Sequence, residues 1–159
     1  MGGANTATGL AALDNVLLRL GSLFYASFDG TYSSMPNFSQ TTIETSLIMG
    51  GIADGELDCN KLPPIVYEDL YLESCGIAAI TGNLSKLWGD SESGLVSLDN
   101  NLLSEGDVDA ILAAAVALDG SSMRPHTLAL GGANEPPSAA GVADAATLSG
   151  YGWTVYVSS

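Results

Sequence analysis

The sequence predicts an α/β fold, a short solenoid in which parallel strands stack into one sheet and helical segments carry the chain between them. Three observations predict it. Short apolar runs recur, LYL at 70–72, LVSL at 95–98, LAL at 128–130 and TVYV at 154–157, and alternation along such runs places one face of a strand in a core. Helical patterns separate the later runs, and a strand–helix–strand order implies parallel strands joined by crossovers. The runs are also short and bounded by glycine and asparagine, whereas a doubly wound sheet carries longer β-branched strands.

In chain order, residues 8–21 (TGLAALDNVLLRLG) place Leu10, Leu13, Val16, Leu17 and Leu20 on one helical face and end at a glycine. This helix is expected to form an N-terminal cap over residues 1–22, with repeats and a closing strand over 23–159, the whole being one domain. FYASFDGTY (24–32) and ETSLIMGGI (44–52) each read as a strand followed by a turn. Coils are then expected to begin near residues 26, 47, 70, 96, 128 and 155. SEGDVDAILAAAVALDG (104–120) opens with Ser104 and Asp107 at capping-box spacing and carries Val108, Ile111, Leu112, Ala115 and Val116 as an apolar stripe. PSAAGVADAATL (137–148) is expected to bury Val142, Ala145 and Leu148.

DLYLESCGIAAI (69–80) and LVSLDNNLL (95–103) share the spacing L-x-L-x-x-(N/C)-x-L, with Cys75 and Asn101 at the polar position. HTLALGGAN (126–134) is a third copy, with Ala133 and Asn134 near that position, and GELDCNKLPPI (55–65) is similar but two residues short of register. The leucines fill the core, and an asparagine at the bend lies inside, where it satisfies backbone groups that a tight turn strands. The pattern resembles that of leucine-rich-repeat proteins, whose period is roughly 20–29 residues. The closing stretch, LALGGANEPPSAAGVADAATLSGYGWTVYV, is similar to the terminal repeat of leucine-rich-repeat proteins encoded by bacteriophages and some environmental bacteria. That resemblance implies binding rather than chemistry: a virion structural or accessory protein, in head decoration or a tail or fibre, touching other virion proteins or further copies of itself. The alternative it leaves open is a surface recognition module for a host glycan or protein. The strand residues expected to face outward, Tyr71, Glu73, Ser97, Asp99, Ala129, Thr154 and Tyr156, form the candidate interaction surface, and Trp88, Tyr151 and Trp153 are candidate aromatic anchors.

Composition narrows the function further. Eighteen acidic residues against four basic ones give a net charge of −14, and Arg19, Lys61, Lys86 and Arg124 are too scattered to track phosphates, which disfavours nucleic acid. No apolar run approaches the roughly 20 residues of a spanning helix, so no membrane insertion is expected. The first residues lack a basic segment, so no signal peptide is read and synthesis in a host cytoplasm is expected. One histidine, His126, and two cysteines are too few for a zinc site, and no cofactor or metal is expected. Cys59 and Cys75 read as core residues, although a disulfide between them is conceivable. His126 lacks a nucleophile elbow beside it, so an enzyme is not expected. The carboxylate pairs Glu68–Asp69 and Asp107–Asp109 read as surface charges, and the glycines of LALGGAN as bends rather than a nucleotide cradle. Glu73 and Asp99, at equivalent outward positions, could hold a cation such as Ca²⁺ or Mg²⁺ if they stack. Two like charges facing water are the simpler reading, since no full ligand set such as an EF-hand loop is visible.

Overall fold

The computed structural model describes residues 22–23, 26–28, 33–43, 46–66, 68–88, 94–119 and 127–159. The capping helix expected over 8–21 and His126 lie outside them. The strands are β1 (Ser22–Leu23), β2 (Ala26–Phe28), β3 (Thr42–Ile43), β4 (Leu47–Met49), β5 (Glu56–Asp58), β6 (Ile65–Val66), β7 (Leu70–Tyr71), β8 (Ala79–Thr81), β9 (Leu95–Ser97), β10 (Thr127–Leu130) and β11 (Thr154–Val157). Two α-helices, α1 (Glu105–Asp119) and α2 (Ala139–Gly150), lie between the last three strands. The fold is therefore α/β, and every pairing among the described strands is parallel.

The main sheet has the order β11-β10-β9-β7-β4-β2, so each later strand is added at the same edge. Its register aligns Ala26 with Leu47, Leu47 with Leu70, Leu70 with Val96, Val96 with Leu128 and Leu128 with Val155. These are the six positions at which the sequence places a new coil. The earlier passes also form two smaller parallel sheets, β1-β3-β6 and β5-β8. GELDCNKLPPI belongs to the second of these. Its Leu57 is buried, but Asn60 is exposed and accepts from the Asn83 amide at 3.2 Å instead of lining the interior.

Alternation decides what is buried. Leu70, Leu72, Val96, Leu98, Leu128 and Leu130 face the core and are almost wholly shielded. Truncating a leucine so placed costs about 2–5 kcal/mol. Val108, Ile111, Leu112 and Ala115 of α1 and Leu148 of α2 close the core from the helical side, with Val116 only half-buried. Val142 is 54% exposed, contrary to expectation. The inward stripe of α2 runs through Gly141, Ala145 and Leu148, and Val142 lies about 100° away around the helix.

Both helices begin with side-chain caps, and that of α1 is reciprocal. The Ser104 hydroxyl accepts from the Asp107 amide at 3.2 Å, and the Asp107 carboxylate accepts from the Ser104 amide at 3.4 Å. Ser138 caps α2 through the amides of Ala140 and Gly141, and Asp109 of α1 holds that cap by accepting from the Ser138 amide at 3.0 Å and from its hydroxyl. A Cβ at Gly141 would stand 2.0 Å from the Asp109 Oδ1, so the join between the helices requires glycine. Asp69, Asp107 and Asp109 are thus half-buried acceptors that order backbone, not free surface charges. Among the described residues no helix is long and apolar enough to cross a membrane.

Candidate interaction surface

The bend after each main-sheet strand fixes what lies inside and what lies outside. Asn101 is fully buried: its Oδ1 accepts from the amides of Cys75 and Ile77, at 3.0 and 3.1 Å, and its Nδ2 donates to the carbonyls of Leu72 and Leu98, both at 2.8 Å. Asn134, one residue later than strict register, repeats the arrangement with the Leu103 amide and the Leu98 and Leu130 carbonyls. Each asparagine therefore ties its own pass to the preceding one. Cys75 occupies the equivalent place one pass earlier and donates its thiol to the Met49 carbonyl at 3.2 Å.

The residue just before each bend is forced into the left-handed region, with φ of 56° at Ser74, 55° at Asn100 and 73° at Gly132. Only the last is a glycine, and there a Cβ would fall 2.0 Å from the Asn100 Oδ1. Asparagine tolerates this region better than serine does.

Outside, the register lines up Ile48, Tyr71, Ser97, Ala129 and Tyr156 in one row across the sheet. Tyr156 is 58% exposed and Tyr71 half-buried. Three strand spacings separate these two rings, about 14 Å. Thr154 is exposed on the row below, beside Thr127. Glu73 and Asp99 occupy the row above, where the Ser74 amide donates to the Asp99 carbonyl at 3.0 Å. Each acid leans onto the next pass: Glu73 accepts from Asn100 Nδ2 at 3.4 Å, and Asp99 accepts from the Gly131 amide at 2.5 Å. Asp69 does the same for the Leu95 amide at 2.9 Å and also accepts from the Tyr71 hydroxyl at 3.4 Å. A shallow pocket of about 290 Å³ opens between Ile48, Met49, Tyr71, Glu73 and Ser74.

Four residues expected at the surface are shielded instead, Ser97, Trp88, Trp153 and Ala129, the last only 6% exposed. Ser97 is only 3% exposed, because its one-carbon side chain sits on an interior strand between β7 and β10 and does not rise above the sheet. Trp153 is 4% exposed and Trp88 2%, so neither is a surface anchor. Their rings meet edge to face with centroids 6.2 Å apart, an arrangement that stabilises by about 0.5–1.5 kcal/mol beyond burial. Period-two counting identifies Trp153 as inward, since it shares parity with Val155 and Val157. Tyr151, at the end of α2, does remain exposed. Ile48 belongs to the outward row but carries no repeat signature of its own, and only the register reveals it.

The thiols are unreactive by position. Cys59 and Cys75 are free and buried. Burial, with Asp58 nearby, pushes the Cys59 thiol up to about 12; burial, with Glu73 nearby, pushes Cys75 up to about 11. No cluster of three or more histidine, cysteine, aspartate or glutamate side chains suited to a metal ion occurs among the described residues. No family model, curated protein or solved structure matches the chain.

Proposed function

We propose that this chain is a binding protein whose outward sheet face makes protein–protein contacts, and that its parallel passes are the coils of a short leucine-rich-repeat-like solenoid. The observation that carries the binding reading is the aligned row Tyr71–Ser97–Ala129–Tyr156. It presents two aromatic side chains on either side of two small residues, with Glu73 and Asp99 along one margin. Tyrosines so mounted offer large contact area with few rotamers to fix. The buried asparagines at successive bends support the solenoid reading, since stacked coils need interior donors and acceptors at each turn. The use of Asp69, Asp99, Asp107 and Asp109 as backbone acceptors favours contact over acid–base chemistry.

The setting we propose is a bacteriophage virion, with the chain as a head-decoration, tail or fibre component, on the strength of its terminal sequence pattern. Mass spectrometry of purified particles tests the setting: the chain should be present in stoichiometric amount, and its absence would end the virion reading. A second reading, recognition of a host glycan or protein, is favoured by the combination of exposed Tyr156 with the pocket beside Tyr71 and Glu73. Binding of the purified chain to cell-surface material, lost in Tyr71→Ala and Tyr156→Ala, would select it. Equal binding by wild type and both variants would exclude this face.

A further inference from the structure

We propose that the free edge of β11 is a self-association surface, through which two copies of the chain join their sheets antiparallel about a twofold axis with Tyr156 opposite its own counterpart. This inference does not rest on the virion setting or on the repeat family.

Among the described residues β11 pairs on one side only, with β10. An unpaired strand edge recruits another strand unless charges, proline or a covering element block it. Among the described residues none of those devices is present at this edge. From Ala145 to Ser159 there is no aspartate, glutamate, lysine, arginine, histidine or proline, in a chain that carries a net charge of −14. The neighbouring strand β10 adds no charge either. Asp144 on α2 is half-buried, and the Asp99 carboxylate is turned onto the Gly131 amide. A strongly acidic chain approaches a second copy of itself at least cost where neither carries charge, and this edge meets that condition on both sides.

The strand is also unfinished on its core side. Leu128 and Leu130 are fully buried on β10, yet their register partners Val155 and Val157 on β11 are only half-buried. Adding a strand beyond β11 would cover them. Antiparallel pairing keeps inward residues opposite inward ones only when the paired numbers have an even sum, and a twofold axis through Tyr156 does so. It sets Val155 against Val157 of the second copy, twice, and Thr154 against Ser158. The edge is therefore complementary to itself, as an isologous interface requires. Trp153, just before the strand, is buried against Trp88 and anchors its start.

Site-specific cross-linking tests the register. Directly opposed Cα atoms in an antiparallel pair lie about 4.5–5.5 Å apart, within the roughly 4.4–6.8 Å that a disulfide spans. Cys59 and Cys75 are buried and do not compete. Under mild oxidation Tyr156→Cys should run as a covalent dimer on a non-reducing gel. Thr154→Cys should not, because its counterpart lies about 13 Å away along the strand. In sedimentation equilibrium the unmodified chain, 16.2 kDa as a monomer, should show twice that mass at tens of micromolar. Tyr156→Glu should be monomeric with an unchanged far-ultraviolet spectrum. Three results would overturn the proposal: an unmodified chain that stays monomeric throughout, a Tyr156→Glu chain that remains dimeric, or equal cross-linking of the two cysteine variants.

Discussion

The earlier and later passes of this chain share one sheet but close their circuits differently. Between Ala26 and Leu70 the chain returns every 21–23 residues, through short strands that pair with one another. From Val96 onward it returns after 32 and then 27 residues, through α1 and α2. Helices satisfy most of their own backbone and meet a neighbouring pass through side chains, as Asp109 meets Ser138, whereas β5 and β8 bond each other directly. The amides of Ala78 and Ala79, for example, both donate to the Gly55 carbonyl. The interior polar residue follows this division. The bends of the earlier passes hold Ile52 and Cys75, and those of the helical passes hold Asn101 and Asn134. Asn101 stands where strand-closed and helix-closed passes meet, and bonds to both.

Asn101→Ala breaks that comparison most severely. It strands two amides and two carbonyls in a dry interior, each costing about 1–3 kcal/mol, so a loss on the order of 4 kcal/mol is expected in urea unfolding. Cys75→Ala, at the equivalent bend, removes one weak thiol bond and little volume, and should cost less than half as much. Equal losses would mean that the two kinds of bend are not distinct.

The helical passes also depend on one close approach. Gly141→Ala drives a Cβ into Asp109 and Pro137, and a loss of about 2 kcal/mol is expected from the displaced cap. Asp109→Ala should cost a similar amount by freeing Ser138, and the double variant should cost less than the sum, because one join is lost twice.

The earlier passes have their own signature in alkali. Both buried thiols titrate above their ordinary value of 9.0 in the folded chain, so the unfolded chain releases protons first. Their contribution is intact below about pH 9 and falls as pH rises towards 11, by at most about 1.4 kcal/mol per thiol per pH unit. Urea midpoints at pH 8 and 10 should therefore diverge, and the Cys59→Ala, Cys75→Ala double variant should narrow that difference.

The smallest effect is expected at Ser74, whose left-handed backbone suits glycine. Ser74→Gly should raise stability by about 0.5 kcal/mol, the relief of strain outweighing the added freedom of the unfolded chain. Gly132→Ala, at the equivalent bend, should lower it, because there the Cβ also collides with Asn100.

Much of this architecture was legible from residue patterns. Leucine alternation marks the main-sheet strands from Leu70 onward, and the six expected starts, at residues 26, 47, 70, 96, 128 and 155, fall in mutual register. Asn101 was legible because a polar residue inside an apolar spacing has few other uses. The strands β5 and β8 were not, since a pass with three sides looks in sequence like a repeat out of step. The outward row was legible from parity, but the shielding of Ser97 depends on which strands flank it, which no local pattern records. The roles of Asp69 and Asp109 were hidden for the same reason: their partners, Leu95 and Ser138, lie 26 and 29 residues away. At Trp153 two signals conflict, an aromatic side chain that suits a surface anchor and a parity shared with Val155 and Val157, and the buried position follows the parity.

The central claim is the in-register parallel stack, and amide NMR tests it most directly. Cross-strand Overhauser contacts should join Tyr71 to the neighbourhood of Ser97, Ser97 to that of Ala129, and Ala129 to that of Tyr156. They should show the parallel pattern, without the close Hα–Hα pairs of antiparallel strands. Close Hα–Hα contacts between these segments, or pairings shifted by one residue, would contradict the account.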